Sequence, residues 1–311
     1  MIVDVLLVVS GLGLLVLGGD LLVRGAVNLA LRLGLTPLVV GLTVVAFGTS
    51  APELIVSLSA ALKGATDIAM GNVVGSNTAN VLVILSAAAL VAPIVTRGHD
   101  LRESWVMMIG ASLLLILLAF LGPIGRLQGL LLLAVLGMVL WRQLSQGAVQ
   151  ADAGAAELEG AALGAHWWQI LLWLGGGLVG LPIGANLLVN GATDIARHFQ
   201  ISEAVIGLTL VAVGTSLPEM AASVASALRG RSDMALGNVV GSNLFNILAI
   251  LGLTSLVMPL PIPPQMLHLD LWVMLGSSLL LAPFLFLGLT ISRLAGGALL
   301  AIYAAYVWVL L

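Results

Sequence analysis

The sequence predicts an all-α membrane protein: ten transmembrane helices arranged as two inverted five-helix repeats. Three observations predict it. The chain of 311 residues is 60% hydrophobic and 8% charged, with a mean hydropathy of +1.18, which no water-facing domain of that size tolerates. Its apolar runs are continuous, without the alternation of a transmembrane β-barrel. Finally, one stretch occurs twice: residues 41–80 and 207–246 align without a gap at an offset of 166, with 24 of 40 positions identical. Such self-similarity marks an internal duplication.

A spanning helix needs ~20 mostly apolar residues. On that rule the spans are 3–23, 36–62, 67–91, 103–121, 125–142, 167–190, 201–228, 233–257, 269–288 and 291–311. Five fall in each half, 1–142 and 167–311, and an odd number per repeat inverts the second copy relative to the first. The echo reaches upstream, since LLVRGA at 21–26 matches LLVNGA at 187–192. The spans at 103–121, 125–142, 269–288 and 291–311 carry no such echo and read as scaffold.

Eight of the eleven Lys and Arg residues lie in the connections after odd-numbered spans: Arg24, Arg32, Arg97, Arg102, Arg142, Arg229, Arg231 and Arg293. Lys63, Arg126 and Arg197 lie in the others. The positive-inside bias therefore puts the odd connections in the cytoplasm and both termini outside, extracellular or periplasmic, on a multi-pass cell-membrane protein. The long connection 143–166 is small, polar and weakly acidic, as suits a cytoplasmic linker. The N-terminal apolar run lacks a basic region and a small-residue cleavage site, so it reads as the first span rather than a signal peptide. With no Cys, thiolate metal sites and disulfides are excluded. A net charge of −3 points to no nucleic acid and to no protein partner; the lipid bilayer is the evident surroundings.

The chemistry lies in the duplicated stretch. Each copy holds one Glu in apolar sequence, Glu53 in GTSAPE and Glu219 in GTSLPE. A carboxylate at membrane depth is costly and marks a functional site by default. Thr49, Glu53 and Ser57 follow at i, i+4 and i+8 and share a helix face. Pro52, with Gly48 four residues before it, predicts a partly unwound segment from Ala46 to Thr49 that presents free carbonyl oxygens. Ala212, Thr215, Pro218 and Glu219 rebuild this in the second half. The next span starts at a capping signal, Thr66-Asp67, then presents Asn72, Ser76 and Asn80 at four-residue spacing, matched by Asn238, Ser242 and Asn246. Gly71, Gly75, Gly237 and Gly241 permit close helix approach. An all-oxygen environment of carboxylates, carbonyls, hydroxyls and amides suits Ca2+ or Na+ rather than a soft transition metal.

The paired GTSxPE and GNVVGSNxxN segments, duplicated in ten helices, resemble the cation/calcium exchanger superfamily and above all its prokaryotic sodium/calcium exchanger branch. The two signatures cover about a quarter of the chain, and the repeat extends the resemblance to all of it. It implies a Ca2+ site at Glu53 and Glu219 with the backbone of Thr49 and Thr215. It implies flanking Na+ sites at Ala46 and Ser76, and at Ala212 and Ser242, with Asn80 and Asn246 completing the ring. In some relatives the position of Asn246 is Asp; the resemblance associates its absence with potassium independence. No cofactor is implied, the ions being the substrates.

The expectation is a secondary antiporter exchanging Ca2+ for Na+ by alternating access, not an enzyme. Two carboxylates give the empty site two negative charges, which one Ca2+ or several Na+ neutralise. The alternative is a proton/Ca2+ antiporter with the same two-Glu site. An intramembrane hydrolase would need a nucleophile beside a base, and no His lies at midplane depth; a passive Ca2+ channel fits a closed central ring less well. Elsewhere the ordinary readings hold. Asn77 and Asn243 lie off the Ser stripe and suit packing or interhelical hydrogen bonds. Asp20 and Arg24 suit a local ion pair. The four His suit loops and helix ends, and Trp105, Trp167, Trp168 and Trp272 an interfacial belt.

Overall fold

The computed structural model describes residues 2–97, 101–147, 165–200 and 214–310. Among them the protein is all-helical, apart from two isolated bridges. In chain order the helices are α1 (Ile2–Leu33), α2 (Pro37–Thr49), α3 (Ala51–Leu62), α4 (Thr66–Val91), α5 (Arg102–Leu121) and α6 (Arg126–Gly147). There follow α7 (Trp167–His198), α8 (Leu217–Leu228), α9 (Ser232–Val257), α10 (Met266–Leu287) and α11 (Arg293–Leu310). Eight are long and apolar enough to cross a membrane; α2 and α3, bent by 42° at Ser50, make a ninth when joined. Residues 201–213 of the expected seventh span, and 148–164 of the expected linker, lie outside the described residues.

The first and sixth spans run longer than hydropathy suggests. Both α1 and α7 have 32 residues, about 48 Å at 1.5 Å per residue, against ~30 Å of hydrocarbon. Nothing between Arg24 and Arg32 breaks a helix, so α1 continues through its charged residues until Gly34, whose φ of +63° ends it. Arg24 and Arg32 therefore lie on a helix and not in a connection.

These two helices pack antiparallel along glycine. A methyl group on Gly11 would lie 2.6 Å from the Leu188 nitrogen, one on Gly18 3.1 Å from Leu181 and one on Gly25 2.7 Å from Leu174. Rising numbers on α1 meet falling numbers on α7. Gly177, Gly184 and Gly191, each 166 residues after a residue of the first set, meet Leu22, Gly11 and Asp4 in the same way. Small residues let backbones touch where lipid supplies no hydrophobic drive between helices.

The repeat also reaches the segments expected to lack it. Ile94 bridges to Ile291, and Leu260, which is Ile94 advanced by 166, bridges to Ile124. Met108 of α5 and Met274 of α10 are likewise 166 apart, and both accept a hydrogen bond from an equivalent Asn. The apolar patterns of these scaffold spans have diverged, while the Met contacts match and the two bridges differ in register by one residue. At the centre, α9 is buried along its first 14 residues and lies against α2, where a methyl on Gly241 would come 2.5 Å from the Leu42 carbonyl oxygen. Gly71 and Gly75 meet nothing within 3.6 Å among the described residues; the counterparts of Leu38 and Leu42 fall at 204 and 208, outside them.

Two local expectations are corrected. No side chain caps α4: Ala65 is its cap residue, and Thr66 and Asp67 lie within the first turn, where Asp67 suits the electropositive helix end. Trp105, at the start of α5, does not face lipid; its indole is buried, donates to the Ser278 carbonyl at 2.8 Å and packs edge-on to Phe286. Trp167, Trp168 and Trp272 are exposed, as a belt requires.

Candidate ion-binding site

Two helix starts deliver the acids. Glu53 occupies the first turn of α3 and Glu219 the first turn of α8, each directly after a Pro. In a first turn Pro is at home, because its missing N–H had no helical partner. The break therefore falls earlier, at Ser50 (φ −82°, ψ 4°) and Ser216 (φ −91°, ψ 4°). This corrects the expected unwinding of Ala46 to Thr49, which form a helical turn after a π-turn at Gly41–Val45. The Ala46 carbonyl is not free: it accepts from the Ser50 N–H at 3.0 Å and the Thr49 hydroxyl at 3.3 Å. Ala212 lies outside the described residues.

Glu53 and Glu219 are 1% and 2% exposed, so the carboxylates are withdrawn from both water and lipid. Each is held from the opposite half: Ser50 donates to Glu219 Oε1 at 3.0 Å, and Ser216 donates to Glu53 Oε1 at 3.3 Å. The second oxygen of each, Oε2, is buried without a protein partner. Burying an acceptor of this kind unmet costs about 1–3 kcal/mol, more when it is charged. Helix N-termini offset part of that cost.

Neutral oxygens surround the pair. Asn72 donates to the Glu53 carbonyl at 3.1 Å and to Ser57 at 2.9 Å; Asn238 donates to the Glu219 carbonyl at 3.2 Å and to Ser223 at 2.9 Å. These amides brace the acid-bearing helices of their own halves. Thr49 is buried and its hydroxyl reaches Asn238 Oδ1 at 3.3 Å; Thr215 is half-buried. Ser76 and Ser242 are buried, and Ser242 Oγ has no partner. Asn80 and Asn246 are each 1% exposed, and each leaves Oδ1 unpartnered. Both begin π-turns, Asn80–Ile84 and Asn246–Ile250, inside otherwise α-helical spans. Such π-turns recur at functional sites. Among the described residues no three acids or His cluster.

Of the ten residues expected at the site, Glu53, Glu219, Thr49, Ala46, Asn80, Asn246, Ser76 and Ser242 are buried, on helices that meet where α2 packs on α9, α3 on α4 and α8 on α9. Sequence reasoning missed Ser50 and Ser216 as the residues that cross between halves. The signal was present, since both belong to the GTS that is identical in the two copies.

A multi-pass, all-helical protein that gathers two buried carboxylates and orphaned neutral oxygens at breaks in its helices belongs to the class of membrane ion carriers. A family model described as sodium/calcium exchanger protein matches residues 3–145 and 169–311. The chain is 39% identical to the putative antiporter CaxA of Alkalimonas amylolytica, covering 100% of this chain and 99% of that protein. It is 34% identical to the sodium/calcium exchanger MaX1 of Methanosarcina acetivorans over 99% of this chain and 98% of that one. The solved structure of the sodium-calcium exchanger NCX_Mj without Na+ and Ca2+ superposes with a TM-score of 0.86 at 32% identity, covering 100% and 99% of the two chains. The chain belongs to the sodium/calcium exchanger family, in the prokaryotic branch of the cation/calcium exchanger superfamily.

Proposed function

We propose that this exchanger moves Ca2+ against Na+ by alternating access, with Glu53 and Glu219 as the shared charge of the site. One observation carries the reading: two buried carboxylates each present an unpartnered oxygen among the orphaned Oδ1 atoms of Asn80 and Asn246 and the Ser242 hydroxyl. The helix of Glu53 packs against the π-turn begun by Asn246 and that of Glu219 against the π-turn begun by Asn80, and hard cations suit buried oxygen acceptors brought together in this way. Thr49 and Thr215 join the Ca2+ position through their backbone. Ser76 with Ala46, and Ser242 with Ala212, flank it as Na+ positions; at Ala46 the ion takes the place of the Thr49 hydroxyl. Sodium needs several pre-formed oxygens at once, whereas a proton needs one carboxylate. The names sodium/calcium exchanger carried by MaX1 and NCX_Mj agree with this reading.

The architecture that goes with it is ten spans in two inverted five-helix repeats, 1–142 and 167–311, with 201–228 as the seventh span and 143–166 as a cytoplasmic linker. The antiparallel pairing of the equivalent helices α1 and α7 supports the inversion. On this reading both termini lie outside, which the excess of Arg and Lys at and beyond the ends of the odd-numbered spans, eight against three, supports.

The test is Ca2+ movement in proteoliposomes at fixed pH. An imposed Na+ gradient should drive it, without any requirement for K+, because Asn246 supplies no third acid. Movement driven by a pH gradient alone, and indifferent to Na+, would overturn the reading in favour of proton coupling.

A further inference from the structure

Asn77 and Asn243 make no hydrogen bond to either carboxylate; their bonds run to each other's backbone and to the Asn246 and Asn80 amides. A backbone carbonyl can only accept a hydrogen bond, so the Asn77 atom 3.3 Å from the Asn243 carbonyl oxygen is its amide nitrogen. The second N–H faces the Met274 sulfur at 3.7 Å, a weak acceptor that has nothing to donate in return. Asn77 Oδ1 therefore points the other way, and there it accepts from Asn246 Nδ2 at 3.0 Å. With its nitrogen engaged, Asn246 turns its Oδ1 to the far side, where that oxygen is buried and meets no protein donor. The other half repeats every step. Asn243 donates to the Asn77 carbonyl at 3.2 Å and faces Met108 at 3.6 Å, its Oδ1 accepts from Asn80 Nδ2 at 2.9 Å, and Asn80 Oδ1 is left free.

We propose that Asn77 and Asn243 are positioning residues that lock the Asn246 and Asn80 amides with oxygen toward the transported cation. The inference rests on the reading of the site as a cation site, and it adds a reason for the neutral half to be selective. The two ends of an amide have nearly the same shape, so an unrestrained Asn turns either end inward. A flipped amide would aim N–H dipoles at the ion and repel it. Each lock is anchored on a main-chain oxygen of the opposite half, so the acceptor orientation on one side depends on the helix of the other.

The experiment is a double-mutant cycle of Ca2+ affinity, by calorimetry on the purified full-length protein, with Glu53→Gln as the control for site occupancy. Asn77→Ala should weaken Ca2+ binding about tenfold, the low end of what loss of a ligand-orienting partner costs. In an Asn246→Asp background the same change should cost twofold or less, because a carboxylate offers oxygen in either orientation. A packing role for Asn77 would instead cost the same in both backgrounds, and that result, or no loss in Asn77→Ala, overturns the proposal. Asn243→Ala with Asn80→Asp provides an independent twin cycle should either Asn77 variant fail to fold, as judged by thermal unfolding. If the parent shows no Ca2+ binding, the Ca2+ reading fails, and the cycle run with Na+ alone then decides the asparagine orientation.

Discussion

Replacing Glu53 by Gln separates the charge of the site from its shape. The side chain keeps its volume, and its Oε1 still accepts from Ser216, now 3.3 Å away. What disappears is one negative charge in a group that is 1% exposed. A unit charge pair ~4 Å apart at an effective dielectric constant of ~20 is worth about 4 kcal/mol, hence about 8 kcal/mol for a divalent ion. Part of that is offset, since Gln escapes the desolvation cost of several kcal/mol that a buried carboxylate bears. A net loss of about 3–4 kcal/mol remains, or roughly two to three orders of magnitude in Kd. Thermal unfolding with and without Ca2+ reads this directly. At a Ca2+ concentration one hundred times its Kd the parent gains about 2.7 kcal/mol, and a variant binding ~100-fold more weakly gains under ~0.5 kcal/mol. Without Ca2+ the variant should be at least as stable as the parent, whose Glu53 Oε2 is buried and unpartnered. Ca2+ uptake should be abolished. Equal Ca2+ stabilisation of variant and parent, or uptake at the parent rate, would refute the assignment; Glu219→Gln should behave alike.

Three further outcomes are expected. Ser76→Ala or Ser242→Ala should raise the Na+ concentration for half-maximal exchange severalfold while changing Ca2+ affinity less, measured in the same vesicles; equal effects on both ions would remove the serines from the Na+ positions. A methyl on Gly184 already comes 3.0 Å from the Gly11 carbonyl oxygen, so Gly184→Leu should destabilise by at least the ~1–3 kcal/mol typical of overpacking, and an unshifted melting temperature would contradict the α1/α7 contact. A reporter fused after Leu311 should be active only outside the cytoplasm, and cytoplasmic activity would reverse the orientation drawn from the Arg and Lys count.

Much of the candidate site was legible because duplication writes it twice. Glu53, Ser76 and Asn80 each recur 166 residues on, and a costly residue that recurs at a matched position stands out from the apolar sequence around it. What was not legible depends on contacts between halves, which have no sequence spacing to betray them. Ser50 reaches Glu219 across 169 residues, and Asn77 reaches Asn246 across the same number. The location of the helix break was misjudged for a different reason. Pro52 draws attention to the residues four before it, yet a Pro in a first turn starts a helix, which moves the break to Ser50. Hydropathy likewise ended α1 before Arg24, although Arg24 and Asn28 are compatible with helix and bond within it.

A carrier with a paired site faces a physical problem that the same duplication creates. If every ligand in one half has its twin in the other, the site itself cannot favour one side of the membrane, and any preference must come from residues where the copies differ. One set of such differences lies where α1 meets α8. Asp20 accepts from Arg24 at 2.9 Å and from Arg229 at the end of α8, while the equivalent positions hold Asn186, Asn190 and Lys63. Next to it, a methyl on Gly19 would lie 3.0 Å from the Ala221 carbonyl oxygen, and its counterpart Ala185 carries that methyl. The turn bearing Arg229 is itself fixed, by the buried Arg231–Asp233 pair at 2.6 Å and by Ser232 accepting from the Val95 N–H at 3.0 Å. α1 is thus tied to α8 by charge and close packing, and the equivalent residues Asn186, Asn190 and Lys63 include no carboxylate to form the same ion pair. With the Asp20 and Arg229 side chains 35% and 19% exposed, the pair contributes on the order of 1 kcal/mol. A contribution of that size, were it made in only one of two openings, would shift their equilibrium severalfold without trapping it.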